Sequence, residues 1–249
     1  MGPSRQYIAL GDSMSIDDYA GGPGRGAASL LFQNDDERFP EWEGRDLSSG
    51  ETADELLLLA RDGATSSDVV RQVALLSELD VHPVAITVSM GGNDLLAVFG
   101  NTGAARRAIS DLSRNAEKVL SELRLLTGDG APVVLATVYD PSDGSGNTTA
   151  IGLEPWPGVV HLIQELNRVL SLAASAHGAL VADIHQRFLG HGLSAGDPSQ
   201  SQAAPADESL WYCNAVEPNA WGASQLRAAY WEAIAGRLGL TQSTIHTAD

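Results

Sequence analysis

The chain has 249 residues, 43% of them hydrophobic and 19% charged, an ordinary balance for a folded protein with a sizeable core. Its charge is less ordinary: 15 Lys and Arg against 32 Asp and Glu leave a formal net charge of −17, which repels phosphate backbones and anionic headgroups and argues against nucleic acid or a membrane as partner. A single cysteine, Cys213, excludes an intrachain disulfide, no Cys and His spacing fits a zinc site, and no apolar run reaches the length of a membrane span.

Residues 1–6 lead straight into strand-like sequence, without the basic and apolar regions of an export signal, so a cytoplasmic protein is expected. Residues 7–10 are a short apolar run that stops at Gly11, a strand followed by a turn. A second run, 56–60, precedes Asp62 and Gly63. Residues 66–79 place Val69, Val70, Val73, Leu76 and Leu79 on one helical face, with Ser66 or Ser67 as N-cap. A β-rich run, 84–90, ends at Gly91-Gly92. Helical periodicity covers 104–126, strand character 133–138, helical periodicity 159–176, strand character 179–184 and helical periodicity 220–238. Five short apolar strands alternating with amphipathic helices predict an α/β fold with a mainly parallel five-stranded sheet covered on both faces. The irregular segments 35–51, 140–157 and 192–209 read as insertions at the sheet rim, the third expected to be mobile. One domain over 1–249 is expected.

Loops at the carboxyl ends of parallel strands converge on one crevice. Here they carry Gly11-Asp12-Ser13, Gly63-Ala64-Thr65 and Gly91-Gly92-Asn93-Asp94, and Glu217-Pro218-Asn219 precedes the last helix. A serine on a tight turn, glycine-freed N–H groups and an asparagine amide suit acyl transfer: the serine attacks and the donors hold the oxyanion.

The runs Ile8-Ala9-Leu10-Gly11-Asp12-Ser13, Asp62-Gly63-Ala64-Thr65 and Gly91-Gly92-Asn93-Asp94 resemble three of the four blocks of the SGNH (GDSL-type) hydrolase superfamily. The resemblance extends over essentially the whole chain. It implies a flavodoxin-like three-layer α/β/α sandwich and an esterase, lipase, acetylhydrolase or thioesterase activity, with a small-molecule ester as partner. It also implies Ser13 as nucleophile, with the Ser13 and Gly63 N–H groups and the Asn93 amide as oxyanion hole. The fourth block departs from the family pattern of an Asp, two residues and His-Pro. The matching run is Asn214-Ala215-Val216-Glu217-Pro218-Asn219, so Glu217 stands where the base would be and Asn214 where its orienting acid would be.

Three readings of that departure stay open. Glu217 is itself the base, its pKa raised by burial; a histidine takes over, His185 or, on its glycine-flanked loop, His191; or the site binds an ester- or carbohydrate-like ligand without turning it over. Asp12, Asp17, Asp94 and Glu217 would gather carboxylates around the crevice, but loop bracing by Asp12 and Asp94, and helix capping or solvent exposure of Asp17 or Asp18, is the expected role, so no metal is assigned. No cofactor is expected: Gly21 to Gly26 lacks the Lys-Ser/Thr ending of a phosphate loop. His82, His161 and His246 read as surface or structural residues, His177 as a helix C-terminal partner, and Cys213 as a buried small hydrophobe. Trp221 and Trp231 read as core, and Trp211 as core or the wall of an acyl or sugar pocket. Oligomeric state is not legible.

Overall fold

A computed structural model describes residues 3–128 and 130–240. His246, assigned above to the tail, lies outside them. The central sheet contains β1 (Gln6–Leu10), β2 (Glu55–Leu58), β3 (Pro83–Val88), β4 (Val133–Ala136) and β5 (Leu180–Ala182) in the order β2-β1-β3-β4-β5, and every pairing is parallel. This is the flavodoxin-like order, and its switch point lies between β1 and β3. The α/β fold and the five-stranded parallel sheet are as expected. Strands β2 to β5 end earlier than their apolar runs because the last apolar residues turn into the loops, while β1 ends with its run at Leu10.

Successive strand residues face opposite ways, so each strand feeds two cores. Ile8, Leu10, Ile86 and Val88 pack against α2 (Ser66–Leu76), α4 (Thr102–Thr127) and α5 (Val159–His177). Tyr7, Ala9, Ala85 and Val134 pack on the other face against α1 (Ala27–Phe32), α6 (Ile184–Phe188) and α7 (Ala220–Leu238). Both faces are therefore covered, as parallel strands require. No helix among the described residues is long and apolar enough to cross a membrane.

Helix α2 stops at Leu76, three residues short of its hydrophobic pattern, and leaves Leu79 48% exposed. Its cap is Thr65 rather than Ser66 or Ser67: the Asp68 carboxylate accepts from Thr65 N–H at 2.9 Å and Thr65 Oγ1 at 2.6 Å. Ser66 is drawn elsewhere, donating through N–H and Oγ to Asp94 at 2.8 and 2.6 Å. The short helices α1, α6 and α3 (Gly92–Leu96) have too few turns to show a period and escape sequence reading. So does the hairpin of β6 (Tyr212–Cys213) and β7 (Glu217–Pro218).

Segment 192–209, expected to be mobile, is pinned instead. The Asp143 carboxylate accepts from the N–H groups of Gly190, Gly192 and Ser194. The backbone of 198–203 accepts from Asn214, Ala215 and Ala220 N–H. Trp221 and Trp231 pack partly buried against the α7-side core rather than inside it. Arg227 is fully buried there, donating to Asn34 Oδ1 at 2.7 Å and Ser224 Oγ at 2.6 Å, its guanidinium 3.9 Å from the Trp42 ring centre.

Candidate active site

Ser13 sits in a turn built around Gly11. Gly11 adopts φ +129°, and a Cβ there would lie 2.2 Å from Ser89 Oγ and 2.4 Å from Ser89 O, so the loops after β1 and β3 touch only because the residue is glycine. Gln72 of α2 clamps the same peptide from below: its Oε1 accepts from Gly11 N–H at 2.7 Å and its Nε2 donates to Gly11 O at 2.9 Å. Asp12 is buried and accepts from Ser89 Oγ at 2.7 Å and Met14 N–H at 3.2 Å. Burial pushes its carboxyl up from 3.8 to about 6 against those hydrogen bonds. The carboxylate thereby joins Ser89, just past β3, to the serine turn.

The pocket above this turn is lined at one end by Asp12, Ser13, Gly92, Asn93 and Glu217. Asn93 projects from α3, whose N-cap Gly91 has φ +110°. One amide hydrogen of Asn93 is given to Ala64 O at 3.0 Å, which fixes the side chain, and among the described residues the other has no acceptor. Asp94, two residues beyond Gly92, ties α3 to the start of α2 through Ser66. Gly63 has φ +68° and lines a shallow groove beside the pocket, with Arg61, Asp62 and Gln72. Among the described residues no acceptor takes the backbone N–H of Ser13 or Gly63.

Glu217 enters from the β6–β7 hairpin, where Cys213 pairs with Glu217 and Tyr212 with Pro218. The turn uses positive φ at Asn214 (50°) and Ala215 (71°). Asn219 anchors its base with all four side-chain bonds: Oδ1 accepts from Trp221 and Gly222 N–H, and Nδ2 donates to Leu210 O and Tyr212 O. Gly222 is required because a Cβ would lie 2.2 Å from Trp211 O. Tyr139, just past β4, donates to Val216 O at 2.7 Å and holds the tip of the hairpin over the pocket. The Glu217 carboxyl is raised from 4.5 to about 7, chiefly by burial. The nearby Ser13 hydroxyl opposes the rise and the charges of Asp12 and Asp62 add to it, though no Ser13–Glu217 hydrogen bond is closed among the described residues. Oε2 of Glu217 is buried without a partner.

The other residues singled out from sequence lie elsewhere. His191 does not line this pocket: its ring stacks on Trp211, centres 3.4 Å apart, and Nδ1–H donates to Ser209 O at 2.8 Å, beside a groove with Arg38, Trp211 and Trp221. His185 is held by Val138 O, 3.2 Å from Nδ1, and is also outside the pocket lining. Trp211 walls that second groove, not the Ser13 pocket. Asn214 is exposed at the turn. Asp17 accepts from Gly24 N–H at 2.8 Å and Gly26 N–H at 2.7 Å, closing the glycine-rich loop rather than reaching the site. His177 pairs with Glu117 at 2.6 Å, and Cys213 is buried. Gln72, Ser89 and Tyr139, which fix the serine turn and the hairpin, were not singled out from sequence. Gln72 alone left a signal, as a polar residue on the apolar face between Val69 and Val73.

A parallel sheet in this strand order, with a serine turn, an asparagine amide and a carboxylate at its switch-point crevice, is the architecture of a three-layer ester-hydrolase type. The model of the GDSL-like lipase/acylhydrolase family matches residues 9–225, and the chain belongs to that family. Among solved structures it is similar to the lipase Lip_vut3 from a goat rumen metagenome: 21% identity, TM-score 0.65, 94% of this chain and all of that one. Phospholipase A1 from Streptomyces albidoflavus follows at 21% identity and TM-score 0.57, with 94% and 99% covered. Axe2, an acetyl-xylooligosaccharide esterase from Geobacillus, has 16% identity and TM-score 0.57, with 93% and 94% covered. At such identities the likeness concerns the fold. No curated protein sequence matches.

Proposed function

We propose that the protein hydrolyses a carboxylic ester, with Ser13 as nucleophile and Glu217 as the base. The observation that carries this reading is that Ser13 and the half-buried Glu217 line the same pocket, with the Glu217 carboxyl raised to about 7 and its Oε2 without a partner among the described residues. A carboxylate of ordinary pKa is too weak a base towards a hydroxyl, and raising it towards the working pH improves both basicity and the return of the proton. Glu217 takes the Ser13 proton as Oγ bonds to the acyl carbon, then gives it to the departing alkoxide. In the second half it takes a proton from water as water attacks the acyl-serine, and returns it to Ser13 Oγ as the acid leaves. The unpaired Oε2 leaves acceptor capacity for that water. The free N–H groups of Ser13 and Gly63 and the free hydrogen of Asn93 are the donors for the oxyanion.

The family's activity on esters, and the lipase, phospholipase and acetyl esterase among the similar folds, support this class. The test is labelling by a fluorophosphonate probe and turnover of p-nitrophenyl esters between pH 5 and 9. Both should be lost in Ser13→Ala. Turnover should rise through about pH 7 as Glu217 ionises, and Glu217→Gln should lower kcat by about 10³-fold. His191→Ala should leave activity intact. A folded wild-type protein that is neither labelled nor active over this range refutes the enzyme and favours the ligand-binding reading.

A further inference from the structure

Beyond the Ser13 end, the pocket is a slot of apolar side chains. Helix α3 starts at the Asn93 end, and its turns continue to Phe99 through Ala97 N–H to Asn93 O at 2.9 Å and Phe99 N–H to Leu96 O at 3.2 Å. Asn93 and Phe99 both line the pocket, six residues apart over α3 and the turns after it, which at a helical rise corresponds to about 9 Å. There Phe99 meets Trp156, ring centres 4.7 Å apart and planes at 66°. Trp156 is buried, and both its donors are taken: Nε1–H by Thr102 Oγ1 at 3.3 Å and the backbone N–H by Thr148 Oγ1 at 3.2 Å. Between the ends, Leu95, Val138, Ile151 and Ile163 supply only carbon.

The charged residues that line the pocket have one sign, and Arg61 lies outside it in the groove of Gly63. Among the described residues, no Arg, Lys or His lines the pocket. Asp12 and Glu217 are at its polar end, and Asp62 is near enough to act on Glu217. Asp140 also lines it, with its carboxylate taken up by the turn at Ser142 and Gly144. An anionic substrate would enter against these carboxylates and the net charge of −17 without a cation to receive it.

We propose that the substrate is an electrically neutral ester whose linear acyl chain of about eight carbons occupies this slot, with Phe99 and Trp156 closing its far end. An extended chain advances about 1.2 Å per bond, so about 9 Å holds about seven bonds. This rests on the esterase reading, and it selects a medium chain over an acetyl group. Each methylene moved from water into the slot should favour binding about four-fold.

Binding and turnover test it separately. In Ser13→Ala, calorimetric titration should show methyl octanoate binding at least about 50-fold more tightly than methyl butanoate. In the wild type, kcat/KM for p-nitrophenyl esters should climb to the octanoate and fall for the hexadecanoate. Leu96→Trp, at a 37% exposed position on the slot wall, should lower the octanoate-to-acetate ratio at least about ten-fold. Trp156→Ala should move the optimum to longer chains. At low salt the anionic 4-octanoyloxybenzenesulfonate should react at least about ten-fold more slowly than p-nitrophenyl octanoate, the gap narrowing as salt rises. A preference for acetate that neither variant moves, or equal rates on the anionic and neutral octanoates, overturns the proposal. Tight, chain-length-dependent binding without turnover sustains the slot and sinks the esterase.

Discussion

Replacing Glu217 by Gln should stabilise the fold while removing its chemistry. The Glu217 carboxyl rises from 4.5 to about 7 on folding, chiefly through burial, with the charges of Asp12 and Asp62 adding to it. Between those values the folded protein keeps a proton that the unfolded chain has released. Stability from this group is therefore fully present below about pH 4.5 and is lost as pH rises through about 7. The interval corresponds to about 3 kcal/mol, most of it falling between pH 5 and 8.5. Glutamine stays neutral throughout and does not carry that cost. Urea unfolding followed by tryptophan fluorescence at pH 5 and 8.5 should show the variant gaining on the wild type by about 2.5 kcal/mol at the higher pH. That corresponds to roughly 1 M in midpoint. Asp12, itself raised to about 6, tilts both proteins in the same direction and largely cancels in the difference. If the two midpoints move in parallel between pH 5 and 8.5, Glu217 is not held as a buried, high-pKa carboxyl, and its role as base fails with it.

Two further substitutions probe the neighbouring strand ends. Asn93→Ala removes one donor from the oxyanion position, and steady-state kinetics should show kcat down about 10²-fold or more with KM little changed. Gly11→Ala would force a Cβ to 2.2 Å from Ser89 Oγ at a φ that disfavours it. It should cost about 3 kcal/mol or more in urea unfolding, and labelling of Ser13 should fall with it.

The hydrophobic periods of the chain determined the class of fold. Runs such as 7–10 and 84–90 are short and bounded by turn residues, which suits buried strands, and the stripes of α2, α4 and α5 supply apolar faces to cover them, so the parallel layered sheet was legible without coordinates. The family blocks likewise pointed to Ser13, Gly63 and Asn93, because each lies within a few residues of a strand end. Local patterns could not show what joins these loops. The Gln72 clamp on Gly11 spans 61 residues, the Ser89 contact with Asp12 spans 77, and the Tyr139 hold on Val216 spans 77. Nor could sequence separate the candidate bases, since Glu217 stood at the block-four position before the last helix while His185 and His191 followed the fifth strand. Packing separates the candidates in space: Glu217, on the hairpin turning at Asn214 and Ala215, lines the Ser13 pocket, while Trp211 and Ser209 hold His191 beside another groove. The raised carboxyl is a product of that burial, and burial is set by the tertiary structure as a whole.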